Sequence, residues 1–284
     1  MTIFITYSDA KYAEARAFCA MMARLVGRFD KVIEYSPDDV DDTFKASHAE
    51  TFACKRGAGL WIWKPYVILK ALREEAGEGD VVFYCDSGTF FIRSFSHLLR
   101  TMCQDVWVSN LPLAEKQYTK RETFVRMGCE GPSYEDTPQV QAGFVGVRKT
   151  AQSVAFVEEW LSLACDHRLL SPVTDSSFPE ASCYVAHRED QSILSLLCKK
   201  RGIRPHLDPT QYGLFPEKYM GERDIRIANP HDREYPAVIV LHRQPRVRLR
   251  HSLFQYLHVL LPRRVVRMFL SKEYYVTSDK TPKG

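Results

Sequence analysis

Five consecutive apolar residues, Val81 to Cys85, run directly into Asp86, Ser87 and Gly88. A short apolar run bounded by turn-forming residues reads as a buried strand. Open α/β sheets place their ligands outside the carboxyl ends of such strands, so Asp86 is a carboxylate held where a ligand would sit. Upstream lies RGAGLWIWKPYVILKAL, Arg56 to Leu72, in which Pro65 suits the first position of a helix. The residue before a proline is held extended, which puts Lys64 at the mouth of that helix. Helix amino termini and lysines attract phosphate, and an aspartate can hold a divalent ion against the same phosphates. Together the two halves predict a diphosphate site, with Arg56 as a second cation. Trp61 and Trp63 alternate with Ile62, which predicts one face for the indoles, spent on packing, and the opposite face for the isoleucine.

The flanking chain alternates in the same style. Ile3 to Tyr7 reads as a strand, Ser8 or Asp9 as a cap, and Ala10 to Val26 as a helix with Ala13, Ala17, Ala20, Met21 and Leu25 at helical spacing. Lys31 to Tyr35 reads as a second strand, closed by the turn Ser36-Pro37-Asp38-Asp39. Strand, helix, strand, helix at this pitch predicts a parallel sheet with right-handed crossovers. Beyond Asp86 the pattern predicts a helix over Phe95 to Cys103 and a strand over Val106 to Ser109. Ala114 to Pro138 is the least regular part and reads either as a helix with a flexible loop over the site or as a surface insertion. Gln141 to Thr150 is a strand whose two glycines permit close backbone approach. Thr150 caps an amphipathic helix carrying Val154, Val157, Trp160, Leu161 and Ala164 on one face.

Glu189 and Asp190 open a further helix, anchored by Ile193, Leu194, Leu196 and Leu197. Acids there complement the helix dipole, and a carboxylate within reach of an incoming hydroxyl can also take its proton. Ile203 to Leu207 reads as an edge strand. Ala237 to Leu241 is a last apolar strand that delivers His242 and Arg243 to its end.

The W-I-W-K-P block, the strand ending in D-S-G, the Q-A-G strand and the Glu-Asp pair opening a helix together resemble the nucleotide-sugar site of GT-A-type glycosyltransferases. The likeness is to those building bacterial and viral surface polysaccharides, and it spans residues 1–245. It implies a single α/β, GT-A-like (Rossmann-like) domain with a mixed, mostly parallel central sheet flanked by helices. It implies a sugar moved from a nucleoside diphosphate donor, a UDP-sugar foremost, to a hydroxyl of a glycan or lipid-linked glycan. Residue by residue, it places Thr6, Tyr7, Ser8, Arg56, Lys64, Asp86, Ser87 and Gly88 on the donor. Gln141, Ala142, Gly143, Arg188 and Gln191 fall on the sugar and acceptor side. Asp190, with Glu189, takes the position of a general base in inverting members. Asp86 and His242 are left to hold a divalent metal, manganese in most of the family. The sequence departs from the family's Asp-x-Asp pattern, because Gly88 stands where a second acid belongs. Two other readings stay open: a nucleotide- or glycan-binding protein without turnover, and a sugar-phosphate nucleotidyltransferase. The latter lacks its glycine-rich basic loop near the first strand.

The chain of 284 residues carries a net charge of only +4, and no apolar run approaches the roughly 20 residues that span a bilayer. The amino terminus does not read as a secretory signal, and eight cysteines without a C-x-x-C pair read as reduced thiols, so a cytoplasmic protein is expected. Charge is uneven: Tyr235 to Lys272 contains no acid, while seven arginines fall between Arg243 and Arg267. Residues 246–272 read as a basic amphipathic segment suited to an anionic membrane surface or to closing the domain, and 273–284 as a disordered tail. No nucleic-acid reading motif accompanies the basic stretch.

Overall fold

The computed structural model describes residues 1–214, 221–227, 234–247 and 259. Met1–Arg246 form one compact unit. The segment 246–272 and the tail 273–284 lie almost wholly outside the described residues.

A five-stranded sheet is built from β1 (Thr2–Tyr7), β2 (Lys31–Tyr35), β3 (Val81–Cys85), β5 (Val106–Ala114) and β6 (Pro138–Arg148), in the order β2-β1-β3-β6-β5. β1 pairs parallel with both β2 and β3, and β6 pairs antiparallel with both β3 and β5, so β6 alone runs against the rest. A separate two-stranded sheet pairs β4 (Thr89–Phe91) antiparallel with β7 (Ile239–Leu241). The principal helices are α1 (Ala13–Met22), α2 (Trp63–Glu74), α3 (Ala151–Ala164) and α4 (Glu189–Lys200).

Alternation along the strands divides the core in two. Ile3, Ile5, Val82, Tyr84, Val145 and Val147 face the aliphatic side, packed on α2, α3 and α4. Phe4, Phe83 and Phe144 face the other side and meet Phe29, Phe91, Phe95 and Trp107 in an aromatic cluster. Both faces of β3 are therefore covered, which is why Val81–Cys85 is apolar at every position.

Several expectations need correction. The helix predicted from Pro65 starts at Trp63, so Lys64 is helical rather than extended. The helix predicted over Phe95 to Cys103 shrinks to Ser96–Leu99, and the edge strand over Ile203 to Leu207 to a single bridge between His206 and Ser109. The residues after Ala114 are anchored rather than loop-like: they form short helices at Glu115–Tyr118, Arg121–Met127 and Pro132–Glu135. Glu115 is fully buried, taking hydrogen bonds from Gln139 at 3.0 Å and an ion pair from Lys199 at 2.6 Å. Those partners come from β6 and α4, so the local sequence, which is polar, misstates the burial. All eight cysteines are free thiols.

Candidate active site

The chain leaves β1 for β2 on one side and returns across it to β3 on the other, which makes the β1–β3 boundary the switch point of the sheet. The pairing of Ile5 with Tyr84 sets the carboxyl ends of the two strands side by side. Loops leaving such a point diverge and open a crevice. A cavity of about 570 Å³ lies there, and Tyr7, Ser8 and Asp9 after β1, with Tyr84, Asp86, Ser87 and Gly88 around the end of β3, contribute to its wall. Arg16 braces the first exit by donating to the carbonyls of Ser8 at 3.0 Å and Tyr35 at 2.9 Å. The Ser8 hydroxyl is buried in this wall and has no hydrogen-bond partner among the described residues, the arrangement expected of a group that waits for a ligand.

The opposite wall has an unusual backbone. Gly57 (φ 59), Ala58 (φ 49), Gly59 (φ 99), Leu60 (φ 54) and Trp61 (φ 61) form five consecutive residues of left-handed conformation. Leu60 N donates to Arg56 O at 2.9 Å and Trp61 N to Gly57 O at 3.3 Å, so the segment is one turn of left-handed helix. That costs about 1–2 kcal/mol at each of the three residues with a side chain. Gly57 is obligatory, because a Cβ there would stand 2.3 Å from the Trp61 ring. Trp63 pins the turn: its indole N–H donates to Gly57 O at 2.9 Å, and its ring stacks on Tyr7 with centroids 3.8 Å apart. Arg56 pins the near end, its guanidinium 2.5 Å from Glu189 and 5.7 Å over the Trp61 ring. Arg56, Gly57, Ala58, Trp61 and Trp63 all face the cavity.

Lys64 does not face it. Its ammonium is buried, 3.1 Å from Asp190 and 3.3 Å from Asp86. Burial pulls this ammonium down, but the two carboxylates outweigh burial, and the net direction is up. Burial also pushes Asp190 up to about 7, against the pull of Lys64. The predicted phosphate lysine is thus an internal counter-ion, because a buried ammonium is held by the nearest carboxylates. Asp86 keeps one face toward the cavity. Its Oδ1 accepts from the Tyr84 hydroxyl at 2.7 Å, and its N–H donates to Gly143 O at 3.0 Å. A Cβ on Gly143 would stand 3.3 Å from Asp86 Oδ2, so the glycine makes room for the carboxylate.

Of the other predicted residues, Gln141 and Gln191 also reach the cavity. Gln141 donates to Ser109 at 2.8 Å, and Gln191 donates to Gln139 at 2.8 Å while accepting from Ala142 N at 3.3 Å. Thr6 and Ala142 are buried away from it. Arg188 lies over the Tyr118 ring at 3.9 Å. Glu189, strained at φ 36, is spent on Arg56, and burial raises its pKa. Lys11, Tyr12, Lys55 and Arg243 line the cavity without having been singled out as site residues. Lys11 and Lys55 each sit close in sequence to a residue that was, and that adjacency was the available signal.

The residues fit a divalent metal poorly. No group of three or more His, Cys, Asp or Glu side chains able to hold one occurs among the described residues. His242 is outside the cavity wall, and its Nδ1 accepts from Gln244 N at 3.0 Å. At the expected second acid, Gly88 O accepts from the N–H groups of His242 at 2.8 Å and Arg243 at 3.0 Å. A Cβ on Gly88 would stand 3.1 Å from Arg243 Cα. The glycine is there because this segment crosses directly above it. No helix among the described residues is long and apolar enough to cross a membrane.

No family model and no curated protein matches the chain. Among solved structures it is similar to galactosyltransferase LgtC in complex with donor and acceptor sugar analogs, at 14% identity and a TM-score of 0.49 over 95% of this chain and 100% of that one. Mouse xyloside xylosyltransferase 1 in its apo form is similar at 11% identity and a TM-score of 0.44, over 86% and 98%. The apo-form glycosyltransferase GlyE of Streptococcus pneumoniae TIGR4 is similar at 16% identity and a TM-score of 0.41, over 93% and 61%. At these identities and scores, what the chain does rests on the geometry of its own cavity.

Proposed function

We propose that this protein is a GT-A-type glycosyltransferase that takes a sugar from a nucleoside diphosphate donor and passes it to a hydroxyl of a glycan. The observation that carries the reading is the composition of the switch-point cavity. Four cationic side chains, Lys11, Lys55, Arg56 and Arg243, share its wall with two carboxylates, Asp9 and Asp86, and with the rings of Tyr7, Tyr12, Trp61, Trp63, Tyr84 and Phe144. An excess of cations beside aromatic surface suits a ligand with phosphates at one end and flat or ring-shaped groups at the other. The resemblance of the W-I-W-K-P and D-S-G blocks supports the same assignment.

Transfer requires that charge developing on the departing diphosphate be stabilised and that the acceptor oxygen be held in line. Lys11, Lys55 and Arg243 supply the first, with Arg56 held at the cavity edge by Glu189. Tyr7 and the unpartnered Ser8 hydroxyl receive the nucleoside. Asp86, oriented by Tyr84 and Lys64, addresses the sugar, together with Gln141 and Gln191. Asp190 acts through Lys64, fixing the ammonium that fixes Asp86, and is a positioning residue rather than the base. A UDP-sugar donor, an acceptor in polysaccharide or glycoconjugate assembly and contact with a membrane surface through residues 246–272 complete the reading.

A second reading, ligand binding without turnover, is favoured by one observation: Glu189 and Asp190, the expected bases, are both tied up in ion pairs. The test is a panel of nucleotide sugars, with release of nucleoside diphosphate followed by chromatography in the presence of glycan acceptors. Release that falls sharply in Asp86→Asn supports transfer. Tight binding with no release from any donor favours the second reading. Absence of binding across the panel overturns both.

A further inference from the structure

We infer that side-chain cations alone hold the donor diphosphate in this cavity, with the segment ending in Arg243 occupying the place of a metal site. The inference rests on the nucleoside diphosphate reading and concerns how that ligand is neutralised. Three independent features carry it.

The first is steric. The backbone of His242 and Arg243 crosses Gly88 with two hydrogen bonds to its carbonyl, and a Cβ on Gly88 would stand 3.1 Å from Arg243 Cα, so a second acid on that turn requires the crossing backbone to give way. The second is that the remaining acid is already engaged. One oxygen of Asp86 takes the Tyr84 hydroxyl at 2.7 Å and the Lys64 ammonium at 3.3 Å, and the carboxylate is 38% exposed. A hard divalent ion seeks several oxygen ligands, and this cavity offers two carboxylates, both already engaged: Asp86 as described, and Asp9, which accepts from Tyr12 N at 3.3 Å. The third feature is what the crossing segment brings. The residue that closes over Gly88 is an arginine, held at φ 56; it lines the cavity, and its guanidinium lies 5.6 Å over the Tyr212 ring and acts on the buried Asp208 carboxylate. A guanidinium presents a planar fork of donors that matches phosphate oxygens, and it carries its charge at every working pH. Lys11 and Lys55, both exposed, line the same cavity and add two ammonium groups. Without a metal to bridge them, Asp86 and a diphosphate repel each other. Asp86 therefore stands off the phosphates and faces the sugar.

Isothermal titration of the full chain with UDP, GDP, CDP and dTDP tests this, each in excess EDTA and again in excess manganese. The expected result is the same Kd for the preferred nucleotide in both buffers, rising with added salt as the ionic contacts are screened. Arg243→Gln weakens binding by about tenfold or more, the size of a lost charged hydrogen bond. Lys55→Gln, at an exposed position that does not endanger folding, weakens it in the same direction. Asp86→Asn binds as well as the unchanged chain or better. A nucleotide that binds only with manganese and is lost in Asp86→Asn overturns the inference and leaves the glycosyltransferase reading intact. If none of the four binds in either buffer, the diphosphate reading itself falls, and this inference with it.

Discussion

The cavity has two walls made in opposite ways. The exits of β1 and β3 take their positions from the register of the whole sheet, and Asp86 needs nothing strained to face the cavity. Across from it, the turn Gly57–Trp61 winds the wrong way for L-residues and is held by its own backbone hydrogen bonds and by what it touches: the Trp63–Tyr7 stack, the indole bond to Gly57 and the Arg56–Glu189 pair. The contrast separates two ways of placing a functional group. A strand end inherits precision from many weak pairings, whereas a strained turn presents Arg56 and Trp61 from a short segment and depends on a few strong props. Strain of this kind concentrates at ligand sites, where the surrounding structure over-determines it.

The largest effect should come from breaking the support of the strand-end wall. Lys64→Ala leaves Asp190 buried and Asp86 half-buried without their cation, and losing one partner of a buried pair typically costs about 3–5 kcal/mol. Urea unfolding measures it, and a loss below about 1 kcal/mol would show that the ammonium is not what organises the two carboxylates.

On the turn the expected effect is smaller and depends on position. Gly57→Ala adds a left-handed side chain and an overlap with Trp61, for a loss of about 2–4 kcal/mol. Ala58→Gly relieves strain one residue later and should raise stability by less than about 1 kcal/mol. Equal effects at the two positions would mean that the turn is not under the strain its torsions indicate.

Acidity sharpens the comparison further, because Asp190, which holds Lys64 behind the strand-end wall, titrates near neutrality. Its folded value, about 7, lies above its ordinary value of 3.8, so between these limits the folded state binds more protons than the unfolded one. The contribution of this group is therefore fully present below pH 4 and is lost as the pH rises through 7, with a slope of at most about 1.4 kcal/mol per unit. The difference in stability between the unchanged chain and Asp190→Asn, measured from pH 4 to 8, should reproduce that slope. A flat difference would mean that Asp190 is ionised throughout.

The same contrast explains what the sequence could and could not reveal. Val81–Cys85 and Asp86 were legible because an apolar run followed by turn residues is a local signal. Asp9 caps the first helical turn by accepting from Tyr12 N, and Thr150 caps α3, both through short-range bonds that a sequence displays. Lys64 misled because nothing near it in sequence announces Asp190, and a lysine beside an apolar block reads the same whether its partner is a phosphate or a distant carboxylate. Pro65 misled by two positions because the left-handed turn ends at Trp61 and lets the helix begin at Trp63. Arg243 was seen at the end of a strand, but its place in the cavity depends on the pairing of β7 with β4, which neither segment announces.

Gly88 bears on which sites this chain could acquire by mutation. A two-acid version of the turn is not one substitution away, since any side chain at this position must first push aside the backbone of Arg243. Replacing the glycine would shift the backbone of Arg243, a cation of the cavity wall, in the same step that added an acid. A change at position 88 therefore alters the acid count and the placement of a cavity cation together.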